Sequence, residues 1–503
     1  MSQAVVLGVD IGTSSIKYSL ITPTGDCVLS TSADYLLARP APGQFEINGE
    51  DLWGKIAESI NEIVTGSSAK YRIEGLCACG MMIMPVFLDA QQKIVRPVIH
   101  WQDERLLEQC TKLKAQGKDK IIARVSGSLL TGESTLNAVE WVREHEPECF
   151  ARIAKFVMLK DYIRYRLTGV MCSDFGDASG SLMLDVVRRE WSDETARTLG
   201  LSPSIFPELR GSDSTGGTLT REASRLTGLR EGLPVVVGTG DGICTILGLG
   251  VIDSGDVGIT VGSAGVIGVA TANPPMDEQH RNYVFCHPAR DRWYSIMATA
   301  ASGDTLRWYR DEVLRDSGIA YTELDQEARE IEPGADGLLF LPYILGSRNP
   351  HSNPDAVGMF LGLRRKHGRK HMTRAVMEGI LLEILDLYTT EAEVAEKLGI
   401  GLQSVKVSGG IVKSELWLHM LADVLGKKIV LTEQEELGTL GCAILAYTGI
   451  GTYRSLRDAV KGMVREKREI EFDGTAHATY RKKFTAFRRA YRQMETLALP
   501  QDN

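Results

Sequence analysis

The sequence predicts an α/β protein built as two similar halves, and three observations carry that expectation. The first is Val5-Val-Leu-Gly-Val-Asp-Ile-Gly-Thr-Ser-Ser-Ile-Lys-Tyr-Ser-Leu-Ile21, two apolar runs around a small turn. It reads as a β-hairpin with Asp10 ending the first strand. The second is its recurrence at Gly258-Ile-Thr-Val-Gly-Ser-Ala-Gly265. Gly258 stands for Gly8, Gly262 for Gly12 and Ser263 for Thr13, while Thr260 replaces Asp10; the matching apolar flanks indicate duplication. The third is a pair of strand–glycine–helix handovers, at Leu233–Thr245 and Val405–Trp417, as expected where parallel strands alternate with helices. The boundary is placed so that residues 1–246 form the first domain and 247–503 the second.

The Asp10 turn has two physical uses. As a plain hairpin turn, Gly12 supplies backbone freedom and Asp, Thr and Ser bond the local chain. As a phosphate turn, backbone N–H groups face phosphate oxygens because Gly12 has no side chain in the way. Thr13 and Ser14 then add hydroxyl donors, Lys17 adds charge, and Asp10 holds a hydrated Mg²⁺. Chance likeness of two glycine turns is the alternative to duplication.

Composition narrows the classes. The chain has 503 residues, 43% hydrophobic and 24% charged, enough for sizeable cores. A net charge of −8 gives no support for nucleic-acid binding. The nine cysteines are scattered without any C-x-x-C, which reads as buried thiols of a reducing compartment. No apolar run is long enough to span a bilayer. The start reads directly as a strand without a signal-peptide pattern, so the cytoplasm is the expected location.

Taken in order, Cys27–Ala33 reads as a third strand and Asn48–Val64 as a helix with Leu52, Ile56, Ile60 and Ile63 on one face. Ile73–Met84 is a nearly continuous apolar run, as in a strand buried on both faces. Val86–Val95 reads as a hairpin. His100-Trp-Gln-Asp-Glu-Arg105 opens a helix; Trp101, Asp103 and Arg105 either line a polyol site or form an acidic helix start. Leu136–Glu144 and Phe150–Leu167 read as helices. In the first handover Asp241 lies between Gly240 and Gly242, exposing a carboxylate where a strand meets a helix, or simply occupying a turn. Met372–Leu398 is a long helix. In the second handover, Gly409-Gly410 and a helix capped by Ser414 allow a nucleotide to approach the backbone, or make an ordinary turn. Gly438 and Gly441 permit close packing of the next helix. Tyr480, Phe484, Phe487 and Tyr491 mark one face of a terminal helix.

Together these stretches resemble the ATPase superfold shared by sugar kinases, actin and heat-shock chaperones. More narrowly, the chain resembles the FGGY family of carbohydrate kinases, and within it the xylulose kinases. The resemblance runs over nearly the whole chain. It rests on Gly8-Val-Asp-Ile-Gly-Thr-Ser14, Trp101-Gln-Asp-Glu-Arg105, Leu159-Lys-Asp-Tyr-Ile-Arg-Tyr-Arg-Leu-Thr-Gly169, Asp177-Ala-Ser-Gly180, Gly240-Asp241, Leu341-Pro-Tyr343, Gly346-Ser-Arg-Asn-Pro-His351, Ser408-Gly-Gly410 and Leu416-Trp-Leu-His-Met-Leu-Ala-Asp-Val-Leu-Gly426. It implies two ribonuclease H-like (actin-like ATPase) domains, each a mixed central sheet flanked by helices, with a cleft between them. The first domain would bind sugar and supply the catalytic base; the second would bind the nucleotide.

The resemblance also implies roles. Asp241 matches the catalytic base and touches the acceptor; Asp10 matches the carboxylate that organises Mg²⁺. Thr13 and Ser14, with Lys17, match the first phosphate turn, Gly262 and Ser263 the second, and Gly409, Gly410 and Ser414 the nucleotide clamp. Met81, Met82, Trp101, Asp103 and Arg105 complete the acceptor side. The cofactors implied are ATP and Mg²⁺. The partners implied are a small sugar or polyol and a second copy as a homodimer, with no nucleic acid and no membrane.

Two departures stand out. Xylulose kinases carry Gln-Met-His-Gly, whose histidine touches the sugar; here the aligned residues are Met81-Met82-Ile83-Met84. The asparagine that usually follows the catalytic aspartate is Gly242. Losing two polar contacts to hydroxyls changes discrimination, so D-xylulose is expected to be a poor acceptor. The rival readings are a kinase for a tetritol, a glycerol-like polyol, a sugar acid or a signal sugar, and a non-catalytic actin-like ATP-binding protein. No G-x-x-x-x-G-K-[ST] occurs, so a Walker-type site is excluded.

Overall fold

The structure is a computed structural model that describes residues 2–315 and 318–496. It divides into two packing units. The first holds the chain up to Ile252 together with Ala270–Tyr294 and Gln434–Arg465; the second holds Asp253–Val269, Ser295–Glu433 and the chain from Glu466 onward. The first packing unit thus also takes in Ala270–Tyr294 and Gln434–Arg465. The helix Leu437–Gly449 buries nearly every side chain, and a helix apolar all round needs neighbours on every side. It finds them in the first unit, against the strand Gln3–Ile11 and the helix Asp241–Gly248.

The first unit is organised on a mixed sheet of β1 (Gln3–Ile11), β2 (Ser15–Ile21), β3 (Cys27–Asp34), β4 (Tyr71–Gly80), β5 (Thr215–Thr218) and β6 (Pro234–Val236), in the order β5-β6-β4-β1-β2-β3. The expected hairpin is β1–β2, with Asp10 opposite Lys17. On its other edge β1 runs parallel to β4, placing Asp10 beside Cys79. β6 runs parallel to β4, and its continuation bridges Gly240 to Gly80. Three parallel strands thus deliver Asp10, Cys79 and Gly240 to one edge, the carboxyl ends where α/β sheets place ligands.

One local expectation fails because of a partner distant in sequence. Phe150–Leu167 is not one helix: a short helix ends at Arg152, Lys155–Met158 is a strand, and Leu159–Thr168 is a second helix. The strand forms because Phe156, Val157 and Met158 pair with Pro85–Leu88, far away in sequence. The expected Val86–Val95 hairpin is present as a short turn: the Val95 N–H donates to the Phe87 carbonyl at 3.0 Å, the Asp89 N–H to the Lys93 carbonyl at 2.9 Å, and Leu88 bridges Ile94.

The second unit is built on β7 (Val257–Val261), β8 (Gly265–Thr271), β9 (Trp293–Ala298), β10 (Val405–Gly409), β11 (Ile429–Thr432) and β12 (Glu466–Ile470), ordered β9-β8-β7-β10-β11-β12. It repeats the first sheet's plan. A hairpin, β7–β8, has its first strand parallel to a third strand, β10. The helix Arg369–Lys397 is largely buried. The terminal helix Gly474–Met494 buries Tyr480, Phe487 and Tyr491 in the same core.

Candidate active site

In the first unit the turn after β1 is closed by the Gly12 N–H donating to the Ser15 carbonyl at 3.1 Å. Asp10 lies under this turn, where burial raises its pKa above the usual carboxylate range. The Cys79 thiol and Lys17 pull it down and Glu436 pushes it up. Gly438 is a glycine for Asp10's sake: a Cβ there would meet the Asp10 Oδ2 at 2.4 Å. The Lys17 ammonium pairs with Glu436 at 3.0 Å, and both side chains keep solvent access.

Asp241 is the first residue of the helix Asp241–Gly248, with Gly240 as its N-cap. Gly238 makes the handover at φ 75°, where a Cβ would strike the Ala78 carbonyl at 2.1 Å. Residue 241 keeps part of its surface open. Its carboxyl is nonetheless pushed up to about 7, chiefly by burial and then by the charge of Asp10, against the Gly242 N–H that it accepts at 2.7 Å. A carboxylate whose charge raises its neighbour's pKa in this way makes a site that gains from a divalent cation.

Met82 lies over both glycines flanking Asp241: a Cβ on Gly240 would be 2.3 Å from Met82 Cγ, and one on Gly242 would be 3.6 Å from its Sδ. The segment leaves the sheet after Gly80, and Ile83 takes φ 63°, a genuine outlier for a β-branched residue. Its N–H donates to Asp177 Oδ1 at 3.3 Å, and its carbonyl accepts the Thr135 hydroxyl at 2.8 Å. Asp177 belongs to a buried charge cluster. Lys160 Nζ stands 2.6 Å from Asp161, 2.8 Å from Asp174 and 4.0 Å from Asp177. Burial lowers the Lys160 pKa, but the three carboxylates outweigh it and hold it above an ordinary lysine.

Tyr35 is a neighbour of the Gly12–Thr13 turn that sequence reasoning missed. Its hydroxyl faces the carbonyls of Gly12 and Thr13 at 2.9 and 2.8 Å and lies 3.8 Å from Met81 Sδ. Burial and the Asp241 charge push its pKa up to about 12. A lone tyrosine past a strand end carries no pattern that would have revealed it.

Asp103 and Arg105 belong to a network of their own, with Trp101 close by in sequence. The Asp103 carboxylate accepts the Phe45 N–H at 2.7 Å and pairs with Arg105 at 2.8 Å. Arg105 continues to Glu46 at 2.9 Å and lies over the Trp141 ring at 4.8 Å. The Trp101 ring lies 5.6 Å from that of His100, tilted by 34°. Asp103 and Arg105 thus spend their charges on each other, so any contact they offer a ligand uses what this network leaves over.

In the second unit the β7–β8 turn is held by the next helix start. Gly262 carbonyl accepts the Gly303 N–H at 2.9 Å and Ser263 carbonyl accepts the Ser302 N–H at 2.7 Å. Gly409 lies directly beside Val261 in register. It adopts φ 90°, and a Cβ would meet the Val261 carbonyl at 2.5 Å. A Cβ on Gly410 would stand at ordinary contact distance, 3.7 Å, from the Val261 carbonyl, and Ser414 caps the helix Glu415–Leu425 through the Trp417 N–H at 3.3 Å. Gly262, Ser263, Gly409 and Gly410 are brought together at one end of adjacent parallel strands.

Comparison with known proteins follows this geometry. Residues 5–248 match the FGGY family of carbohydrate kinases, N-terminal domain, and residues 257–450 its C-terminal domain. The chain is 33% identical over 462 residues to the xylulose kinase of Bacillus subtilis (strain 168), covering 92% of this chain and 91% of that one. It is 30% identical to the gluconokinase of the same organism, over 91% of this chain and 90% of that one. The crystal structure of xylulose kinase from Rhodospirillum rubrum superposes with a TM-score of 0.90 at 29% identity, covering 98% of this chain and 99% of that one. The fold is that of the actin-like ATPases. This chain belongs to the FGGY family of carbohydrate kinases and is an ATP-dependent sugar kinase.

Proposed function

We propose that the protein transfers the γ-phosphoryl group of ATP to a hydroxyl of a sugar or polyol, with Asp241 taking the hydroxyl proton. The observation that carries this reading is the pair Asp10 and Asp241 at the carboxyl edge of one sheet, where burial and the Asp10 charge push the Asp241 carboxyl up to about 7. A carboxyl held near neutrality is matched to a proton it must both accept and release.

Phosphoryl transfer asks little covalent work of a protein; it asks for positioning and charge neutralisation. Asp10 would hold Mg²⁺, whose chemistry when bound is neutralisation of phosphate charge, and the hard carboxylate oxygens suit that ion. The first turn, Thr13 and Ser14 with Lys17, presents donors to phosphate. Gly262 and Ser263 do the same in the second unit, and Gly409, Gly410 and Ser414 take the nucleotide. The first unit is thus the acceptor and base domain and the second the nucleotide domain. Gly438→Ala tests the Asp10 assignment. Its Cβ displaces the carboxylate, so the Mg²⁺ concentration at half-maximal rate should rise about tenfold or more; an unchanged Mg²⁺ dependence would sink it.

The acceptor differs from that of the relatives at one wall. Met82 covers the glycines around Asp241 with a thioether, and Gly242 offers no side chain. A site lacking a hydrogen-bond donor no longer favours the hydroxyl that donor served. D-xylulose is therefore a poor acceptor, and the physiological one is another ketose, a tetritol, a glycerol-like polyol or a sugar acid. A coupled ADP-release assay over such a panel tests this, and D-xylulose with the highest kcat/KM would overturn it. The reading extends to a homodimer in the cytoplasm, with sedimentation to test the first. Among the described residues no helix is long and apolar enough to cross a membrane.

A further inference from the structure

We propose that Cys79, Cys244 and Cys442 form a site for one thiophilic cation of the Zn²⁺, Cd²⁺ or Cu⁺ class, and that filling it switches the kinase off. The three sulfurs all lie within 4.8 Å of one another, and each is buried. Cys244 and Cys442 are 4.0 Å apart. Sulfurs that share a tetrahedral ion at about 2.3 Å stand about 3.8 Å from each other, so the trio needs only a small contraction. Every cysteine of the chain is unpaired.

Three different elements supply the sulfurs, and the packing fixes them. Cys79 comes from β4, Cys244 from the helix that Asp241 begins, and Cys442 from the helix Leu437–Gly449. The two helices touch through glycines. A Cβ on Gly441 would lie 2.1 Å from the Cys244 carbonyl, and one on Gly248 2.1 Å from the Leu437 carbonyl. Neither sulfur is free to drift away.

The trio also adjoins the proposed chemistry without taking part in it. The Cys79 thiol donates to Asp10 Oδ1 at 3.4 Å, and Asp10 keeps some solvent access. Binding replaces three S–H bonds by three sulfur–metal bonds, with the protons leaving to solvent and no change of oxidation state. The S–H donor to Asp10 is lost, the neutral trio becomes a net negative site beside that carboxylate because three protons leave for one cation, and the helix carrying Asp241 is drawn toward β4. Soft sulfur ligands disfavour Mg²⁺, so the site does not compete for the ion that serves the phosphates.

The experiment is a Cd²⁺ titration of the reduced, chelator-stripped full-length protein, read by thiolate-to-cadmium charge-transfer absorbance and by kinase activity with ATP and Mg²⁺. One equivalent per chain is expected, retained in Cys27→Ala and Cys286→Ala. Affinity falls at least about tenfold in both Cys442→Ala and Cys244→Ala, and either folded variant suffices. Activity falls along the same titration, returns with a chelator, and resists Cd²⁺ in Cys442→Ala. Absence of the band at one equivalent, or the same titration in Cys442→Ala, overturns the site. Equal inhibition of Cys442→Ala overturns the switch. The absorbance reads the site whether or not the proposed catalytic roles hold.

Discussion

Replacing Asp241 with asparagine is expected to lower kcat by about 10²–10⁴-fold while leaving ATP affinity nearly unchanged. Asparagine preserves the size of the side chain and its approach to the Gly242 N–H, but has no site to receive a proton. Isothermal titration with ATP and steady-state kinetics with the best acceptor separate the two effects. A variant with near-normal kcat would remove Asp241 from its role.

The same substitution has a signature in stability. The folded carboxyl is pushed up to about 7 from an ordinary 3.8, by burial first and Asp10 second. A raised carboxyl favours the folded state fully only below its unfolded pKa. That contribution is lost as pH rises from about 4 through about 7, where the unfolded chain ionises before the folded one. The asparagine variant has no such loss. The melting temperature of Asp241→Asn relative to the parent should therefore rise between about pH 5 and about pH 8. A difference independent of pH would mean the carboxyl ionises as it does in water.

Lys160→Met is the second large effect, and it acts on folding. Lys160 is buried with Asp161, Asp174 and Asp177 around its ammonium. Removing the cation leaves several buried carboxylates facing one another, which typically costs about 3–5 kcal/mol. The urea midpoint of the first unit should fall accordingly. Asp177→Asn should be far milder, because burial already raises the Asp177 pKa well above its usual range and favours the neutral acid. A Lys160→Met loss below about 1 kcal/mol would show that the cluster is relieved by water or by protonation. The link to function is Ile83, whose N–H rests on Asp177 Oδ1 at 3.3 Å and which carries Met82 beside Asp241.

Much of the site was legible because it is local. The Asp10 hairpin is written in adjacent residues, and its repeat at Gly262 preserved the same alternation. Gly409 could be singled out because its backbone, at φ 90°, tolerates little else. Ser414 was recognisable as a helix cap by position alone. What was not legible depends on partners far away in the chain. Phe156–Met158 reads as helix until Pro85–Leu88 is beside it. The helix Leu437–Gly449 reads as part of a second half, yet its apolar surface and glycines fit the first unit. The pairing of Asp103 with Arg105 is likewise not shown by the sequence. The roles of Lys160 and Asp177 emerged only from the structure, since no spacing rule joins them to Ile83.

The central claim is that Asp241 is the proton acceptor of phosphoryl transfer, and the pH dependence of kcat/KM for the acceptor tests it most directly. The account predicts a rise with unit slope as Asp241 ionises, levelling at or somewhat below about pH 7 when ATP and Mg²⁺ are saturating, and disappearing in Asp241→Asn. A flat profile in the parent enzyme, or the same rise with the same midpoint in Asp241→Asn, would contradict it.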